Sequence, residues 1–347
     1  MPRRKAGIMD AFVVTGVKRL KGRVRAGGAK NAALPIMAAA LLADSPVRLK
    51  NVPNLADIRT MTRLLRELGM RVEREERSGD LILETADPSR ITAPYSIMRT
   101  MRAGICVLGP LAARRGKAIV SLPGGCNIGD RPVDLHMKGL RALGAKIEIK
   151  HGYIHASSKR LRGSEMYLGG PFGSTVTGTA NVLMAAVLAK GVTVIDCAAC
   201  EPETQDVARM LVKMGASIQG IGGPRLIVEG VERLSGAEHT VIPDRIEAGT
   251  LLVAGAATGG DVTVEGARWN DLFALVHMLR DVPYFQAYTG RVLQDPRVRL
   301  VKLGEHRRRV AAVEGDPVER ESGAGEIGHP AGEEGQILAR QASVAPF

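Results

Sequence analysis

The sequence predicts an α/β fold built from repeated units, and three observations carry that expectation. One phrase, the end of an amphipathic helix followed by Gly and a short alternating strand, occurs as LLRELGMRVE (64–73), GLRALGAKIE (139–148) and MLVKMGASIQ (210–219). A second phrase, helix end, turn and strand, precedes each of these and occurs once more further on. Helices also alternate with strands throughout, at a spacing that argues for stacked, related units.

Along the chain, the second phrase first appears as ALLADSPVRL (40–49), which closes the apolar run NAALPIMAAALLA (31–43). It returns as PLAARRGKAIVSL (110–122), AVLAKGVTVID (186–196) and AGAATGGDVTVEG (254–266). Gly69, Gly144 and Gly215 each close a helix, because glycine takes the left-handed backbone just past a helix end without steric cost. WNDLFALVHMLRDV (269–282) is the helix of a fourth unit, but Pro283 stands where the pattern requires Gly. Leu272, Leu275, Val276 and Leu279 give that helix an apolar face whose partners would come from missing repeats, so the face is expected to stay uncovered. No strand of the repeat is legible after Pro283, and VEGDPVERESGAGEIGHPAGEEG (313–335) has the Gly, Glu and Pro content of a disordered segment. The regular architecture is therefore expected to stop near residue 282, with 283–347 as a tail of different composition.

A chain of 347 residues suffices for two domains. Aromatic residues make up 3% against 45% hydrophobic, so the core must be aliphatic. The run 31–43 lies between Lys30 and Asp44 and is too short to span a bilayer. MPRRKAGIMDAF has basic residues but no apolar segment after them, which speaks against a secretory signal and for the cytoplasm. Thiols stay reduced there, so a disulfide is a poor reading of Cys126, one of four cysteines. The net charge of +12 comes from scattered Lys and Arg with few aromatic side chains to stack bases. That pattern suits small anionic substrates better than nucleic acid.

Two loops carry candidate chemistry. SLPGGCNIGDRP (121–132) lies between a strand and a helix, with Pro123, Gly124 and Gly125 forcing a turn. Backbone N–H groups at the helix start and the guanidinium of Arg131 make an anion site that would lower the pKa of Cys126. Spacing leaves a second reading equally open, a small structural residue in a tight turn. RAGGAKNAALP (25–35) places Lys30 and Asn31 at another helix start, either facing a phosphate or solvated. It lacks the spaced glycines and the Ser or Thr of a P-loop. CAAC (197–200) has no second pair, so Cys197 and Cys200 are expected to be partly buried small residues rather than zinc ligands. EPETQD (201–206) and PDRIEAG (243–249) are expected to start helices. Of the seven histidines, His136 alone lies close to a candidate loop.

Together the phrases GGAKNAALPIMAAALLA, TMRAGICVLGPL, LPGGCNIGDRPVDLH, ACEPETQDVARML and VIPDRIEAGTLLVAGA closely resemble the UDP-N-acetylglucosamine 1-carboxyvinyltransferase family, from about Met9 to Val282. The resemblance implies two similar domains, each an inside-out barrel of three repeated units with helices inside. It also implies a reaction of peptidoglycan precursor synthesis. The enolpyruvyl group of phosphoenolpyruvate moves to the 3′-hydroxyl of UDP-N-acetylglucosamine by addition and elimination, and phosphate leaves. Cys126 matches the family's general acid. Lys30 and Arg131 match phosphoenolpyruvate-binding positions, and Asn31 and Arg102 match positions of the shared site. Arg131, Pro132, Val133, Asp134 and Leu135 match the segment that holds the uridine nucleotide. Thr177 and Gly178, in GGPFGSTVTGTANV (169–182), loosely match the nucleotide-binding turn. No cofactor, metal or membrane partner is implied.

The resemblance divides the chain into a catalytic domain, 30–242, and a partial second domain made of 1–29 and 243–282. The family's aspartate base stands in a Pro-x-Asp stretch, and no Asp after residue 245 has that context. The sequence thus leaves a second expectation, a truncated UDP-sugar-binding remnant without turnover.

Overall fold

The structure is a computed structural model that describes residues 16, 19–124, 132–281 and 298–299. These fall within one of two compact units, Met1–Leu303; the other, Gly304–Phe347, lies outside the described residues.

Three units are complete. The first runs α1 (Lys30–Ala39), a single 3-10 turn, β2 (Val47–Lys50), α2 (Ala56–Glu67), β3 (Met70–Arg74) and β4 (Leu81–Thr85). After β5 (Thr92–Ala93), the short α3 (Tyr95–Met98) and a 3-10 segment Arg102–Val107, the second runs α4 (Leu108–Arg115), β6 (Lys117–Ser121), α5 (Asp134–Ala142), β7 (Lys146–Lys150) and β8 (Tyr153–Ser157). The strand β9 (Glu165–Tyr167) and the small hairpin β10 (Gly169–Gly170) with β11 (Gly173–Ser174) lead into the third. It comprises α6 (Val176–Ala186), β12 (Val192–Asp196), α7 (Pro202–Lys213), β13 (Ser217–Gln219) and β14 (Arg225–Glu229), and β15 (Glu238–Thr240) follows.

Each unit makes one four-stranded sheet of the same topology: β15-β2-β4-β3, β5-β6-β8-β7 and β9-β12-β14-β13. In every sheet the first pair is parallel and the other two are antiparallel. The parallel edge strand always comes from the linker that follows the preceding unit, and β15, after the third unit, returns to the first. The sheets thereby close a three-fold cycle by strand exchange, while no described sheet is itself a closed barrel. A fourth unit begins in the same way. Strand β1 (Lys21–Arg25) is the parallel edge of β16 (Asp261–Glu265), which follows α8 (Arg245–Ala257) and precedes α9 (Trp269–Asp281). The sequence shows no strand beyond Pro283, yet β17 (Val298–Arg299) pairs antiparallel with β16 at Thr263 and Val264. It takes the place that β14 has beside β12, because backbone pairing needs no alternating pattern in so short a piece.

The apolar residues form two separate cores. The larger draws on Ala29 through Ile242 and contains no aromatic ring, as the composition required. Helices α1 and α6 are buried over nearly their whole length in it. The smaller combines Ala26 with Ala248, Leu252, Val262, Val264, Ala267, Leu272 and Val276. Leu272 and Val276 are therefore covered within the fourth unit itself, contrary to the expectation from their sequence; Phe273 and Met278 are large apolar residues of α9 that are exposed. The chain crosses between the cores twice, side by side. Ala29 N donates to Ile242 O at 2.7 Å and Asp244 N to Gly27 O at 2.8 Å. Arg245 also donates to Glu203 with Nε at 2.9 Å and Nη2 at 3.2 Å, tying α8 to α7 in a two-pronged pair.

The repeated glycines do what the pattern requires. Gly69, Gly144 and Gly215 have φ of 79, 88 and 108°. After α5 and α7 the paired bonds from Gly144 N to Arg141 O, Ala145 N to Leu140 O, Gly215 N to Val212 O and Ala216 N to Leu211 O satisfy the last helical carbonyls. A methyl group at Gly144 would meet open space, whereas one at Gly69 would stand 2.0 Å from the Asp87 carbonyl oxygen. In urea unfolding, Gly144→Ala should cost about 1–2 kcal/mol from the left-handed backbone alone, and Gly69→Ala distinctly more.

Candidate active site

Three segments far apart in sequence meet where α5 and α6 begin. Asp134 lies in the first turn of α5, where a carboxylate suits the helix dipole. Helix α6 is capped by Thr175, whose Oγ1 accepts from Gly178 N at 3.2 Å. The Gly178 amide is thus spent on the cap. Its missing side chain is a requirement of that cap, since a Cβ there would lie 2.4 Å from Thr175 Cγ2.

His136 joins the segments. Its Nε2 lies 3.2 Å from Thr177 Oγ1, and its Nδ1 lies 2.9 Å from Asn181 Nδ2. Asn181 also donates to Ile105 O at 3.0 Å and accepts from Gly109 N at 2.6 Å, so it links α6 to α5 and to the 3-10 segment before α4. Burial is the main reason that the His136 pKa is pushed down to about 4; the nearby positive charge of Arg102 adds to this, and Asp134 opposes it. His136 is therefore neutral at neutral pH. Arg102 itself is half-buried.

Of the residues expected from sequence, the structure brings Arg102, Asp134, Leu135, Thr177 and Gly178 around His136, with Pro132 exposed and Val133 half-buried just before α5. Lys30 and Asn31 start α1, at the surface rather than within the larger core. Lys30 Nζ pairs with Asp57 Oδ2 at 2.9 Å, with both side chains more than a third exposed. Its amide lies 3.4 Å from Asp244 Oδ2. So exposed a pair contributes little to stability. Asn31 is exposed. Cys126 and Arg131 lie outside the described residues. The loop that carries them is anchored at its start, where Gly124 N donates to Met98 O at 3.1 Å and a Cβ would meet the Arg99 carbonyl oxygen at 2.3 Å.

PDRIEAG starts a helix as expected, with Asp244 Oδ1 accepting from Ile246 N and Glu247 N at 2.8 and 3.1 Å. EPETQD starts α7, but Glu201 makes no side-chain cap. Instead Glu203 binds Arg245, and Asp206 is buried against His239 Nε2 at 3.0 Å. Cys197 is half-buried, while Cys200 is exposed rather than partly buried, because it stands at the open end of the loop before α7. Asn181 and Asp57 were not anticipated. The signal for Asn181 was a lone amide inside the apolar run GTANVLMAAVLA, since a buried amide must be hydrogen-bonded. Among the described residues no cluster of metal-ligating side chains occurs, and no helix is long and apolar enough to cross a membrane.

The His136 pKa carries a stability consequence with a fixed sign. The unfolded chain takes a proton on this histidine near its ordinary 6.5, and the folded chain resists until about 4. Stability is therefore complete above about pH 6.5 and is lost as pH falls towards 4, by an amount of order 3 kcal/mol. Urea titrations across this range should show that slope in the natural chain and a shallower one in His136→Gln.

The family model described as EPSP synthase (3-phosphoshikimate 1-carboxyvinyltransferase) matches residues 14–304. The enolpyruvyl transferase NikO from Streptomyces tendae is similar in structure, with a TM-score of 0.68 and 20% identity, over 82% of this chain and 66% of that one. Two structures of EPSP synthase from Acinetobacter baumannii each align with a TM-score of 0.59 and 20% identity over 76% of this chain, and 59% and 60% of theirs. The chain thus spans less than two thirds of each of these proteins. Its repeated sheets are those of the enolpyruvyl transferase fold, and the chain belongs to the EPSP synthase family.

Proposed function

We propose that the protein transfers the enolpyruvyl group of phosphoenolpyruvate to the 3′-hydroxyl of UDP-N-acetylglucosamine, with release of phosphate, in the synthesis of peptidoglycan precursors. The observation that carries this reading is the meeting of Arg102, the segment 132–135 and Thr177 around His136. The resemblance assigns the segment 132–135 and Thr177 to the uridine nucleotide and Arg102 to the shared site, and these phrases are far apart in the chain.

In this reading residues 30–242 are the catalytic domain, and 1–29 with 243–282 contribute to a second. Lys30 and Arg131 hold phosphoenolpyruvate, since two anionic substrates and a departing phosphate need fixed cations. Asn31 and Arg102 complete the shared site. Arg131, Pro132, Val133, Asp134 and Leu135 hold the nucleotide, with Thr177 beside them and Gly178 shaping the turn. Cys126 supplies a proton to the vinyl carbon as the acceptor oxygen adds to the neighbouring carbon and recovers it on elimination, while the hydroxyl proton leaves with the phosphate.

The family description supports a second acceptor, 3-phosphoshikimate. PGGC and RPVDLH favour the nucleotide sugar. The 347-residue chain, supplied with phosphoenolpyruvate and either acceptor, should release phosphate with UDP-N-acetylglucosamine only. Release with 3-phosphoshikimate alone would transfer the site to the second reading. Calorimetric binding of UDP-N-acetylglucosamine without release would instead identify a binding protein without turnover.

Among the thiols, burial pushes Cys106 up to about 12, and burial followed by the neighbouring Glu201 raises Cys200. Cys126, five residues before Arg131 in a glycine-rich turn of the sequence, is expected to be alkylated first at neutral pH, and peptide mapping that finds Cys197 or Cys200 labelled first would overturn this. Cys126→Asp should retain more turnover than Cys126→Ala. Lys30→Ala and Arg131→Ala should each raise the KM for phosphoenolpyruvate or lower kcat by a few kcal/mol in kcat/KM, and Arg131→Ala should weaken the UDP-sugar as well.

A further inference from the structure

The hydrogen bonds around His136 have a direction that the chemistry of the partners fixes. Gly109 N–H can only donate, so the Asn181 atom 2.6 Å from it is the amide oxygen. The Ile105 carbonyl can only accept, so the Asn181 atom 3.0 Å from it is the amide nitrogen. One proton of that nitrogen goes to Ile105 and the other points at His136 Nδ1, 2.9 Å away. Nδ1 must therefore be the accepting nitrogen of a neutral ring. The ring proton then resides on Nε2 and is donated to Thr177 Oγ1 at 3.2 Å. An oxygen that accepts this bond keeps its own proton to give to something else.

We propose that Asn181 and His136 are positioning residues that commit the Thr177 hydroxyl to donate towards an anionic oxygen of the ligand, beside the charge of Arg102. The inference rests on the site reading above and names the polarity of one contact within it. His136 meets charge from Arg102, on the 3-10 segment, and from Asp134, on its own helix. Helix α6 presents it only the uncharged Thr177 and Asn181. A protonated ring would set two donors, Nδ1–H and the Asn181 amide, against each other in a buried place, so the relay requires the neutral form. Asn181→Asp reverses it: a carboxylate calls for a proton on Nδ1, and Nε2 of a neutral ring would then take the Thr177 proton.

The test uses the 347-residue chain with 15N-labelled histidine, His136 being assigned by its loss in His136→Gln. Two-bond proton–nitrogen spectra should show the Nε2–H tautomer, unchanged from pH 7 down to about 5. A proton on Nδ1, or an imidazolium at neutral pH, would overturn the proposal without any need for a ligand. Binding is read by calorimetry with UDP-N-acetylglucosamine and, separately, inorganic phosphate. Thr177→Ser should bind within twofold of the natural chain, and Thr177→Val about tenfold more weakly. Asn181→Asp should make His136 titrate at higher pH and weaken binding as the Val variant does. If the natural chain bound phosphate but not the UDP-sugar, with this Ser and Val pattern, the nucleotide reading would fail and the polarity would stand. Equal binding by Thr177→Val, or binding of neither probe by the natural chain, would overturn the polarity itself.

Discussion

The amide of Asn181 is the interaction on which the arrangement of the larger core most depends. It lies on α6, a helix otherwise made of small and apolar side chains, and its partners belong to two other segments of the chain. Each of those bonds is buried, where an amide without partners would cost several kcal/mol. The segment before α4, the start of α4 and the start of α5 are therefore held to one place on α6. Close approach is built in by small residues: a Cβ at Gly109 would stand 2.1 Å from the Asn181 carbonyl oxygen, and one at Gly139 would stand 2.3 Å from Val182 Cγ2. The packing that brings the helices together is the same packing that places Arg102, His136 and Thr177 side by side.

Exchange of edge strands between units has a second consequence. Because each sheet borrows its parallel edge strand from the linker after the preceding unit, no unit can leave without breaking a neighbour's ladder. Strand β15 closes this cycle and leads directly into the crossing at Ile242–Asp244. The other crossing, at Gly27–Ala29, lies against it and against Asn51, whose carbonyl oxygen would be 1.7 Å from a Cβ at Gly28. Lys30 and Asp244 stand at the helix starts immediately after these crossings. Their charges are thus placed by the geometry of the junction.

The repeats were legible in the sequence because a helix end followed by a left-handed glycine and a strand is a local event. Gly69, Gly144 and Gly215 announce it through their backbone freedom alone, and the aliphatic core follows from the scarcity of aromatic residues. The candidate loops were legible for the same reason, since Gly124 and the residues before α1 are punctuation between a strand and a helix. What failed were statements about cover. Leu272 and Val276 looked unpartnered along the chain but are buried against β16 and α8, because their partners come from a core that only folding assembles. Cys200 was expected to be partly buried, yet its exposure depends on which way a loop end faces.

By itself the sequence determined the unit, its repetition, the helix stops and the residue types available to bind anions. Those follow from backbone preferences and from side-chain chemistry, which act over a few residues. Only the tertiary structure decided that His136 is neutral and directional, because its state is set by burial, by Arg102 and by Asn181, 34 and 45 residues away in the chain. Only it decided that Lys30 rests against Asp57 and that β17 returns to β16. Desolvation, charge proximity and strand pairing act through space, and the sequence states them only after the units have closed on one another.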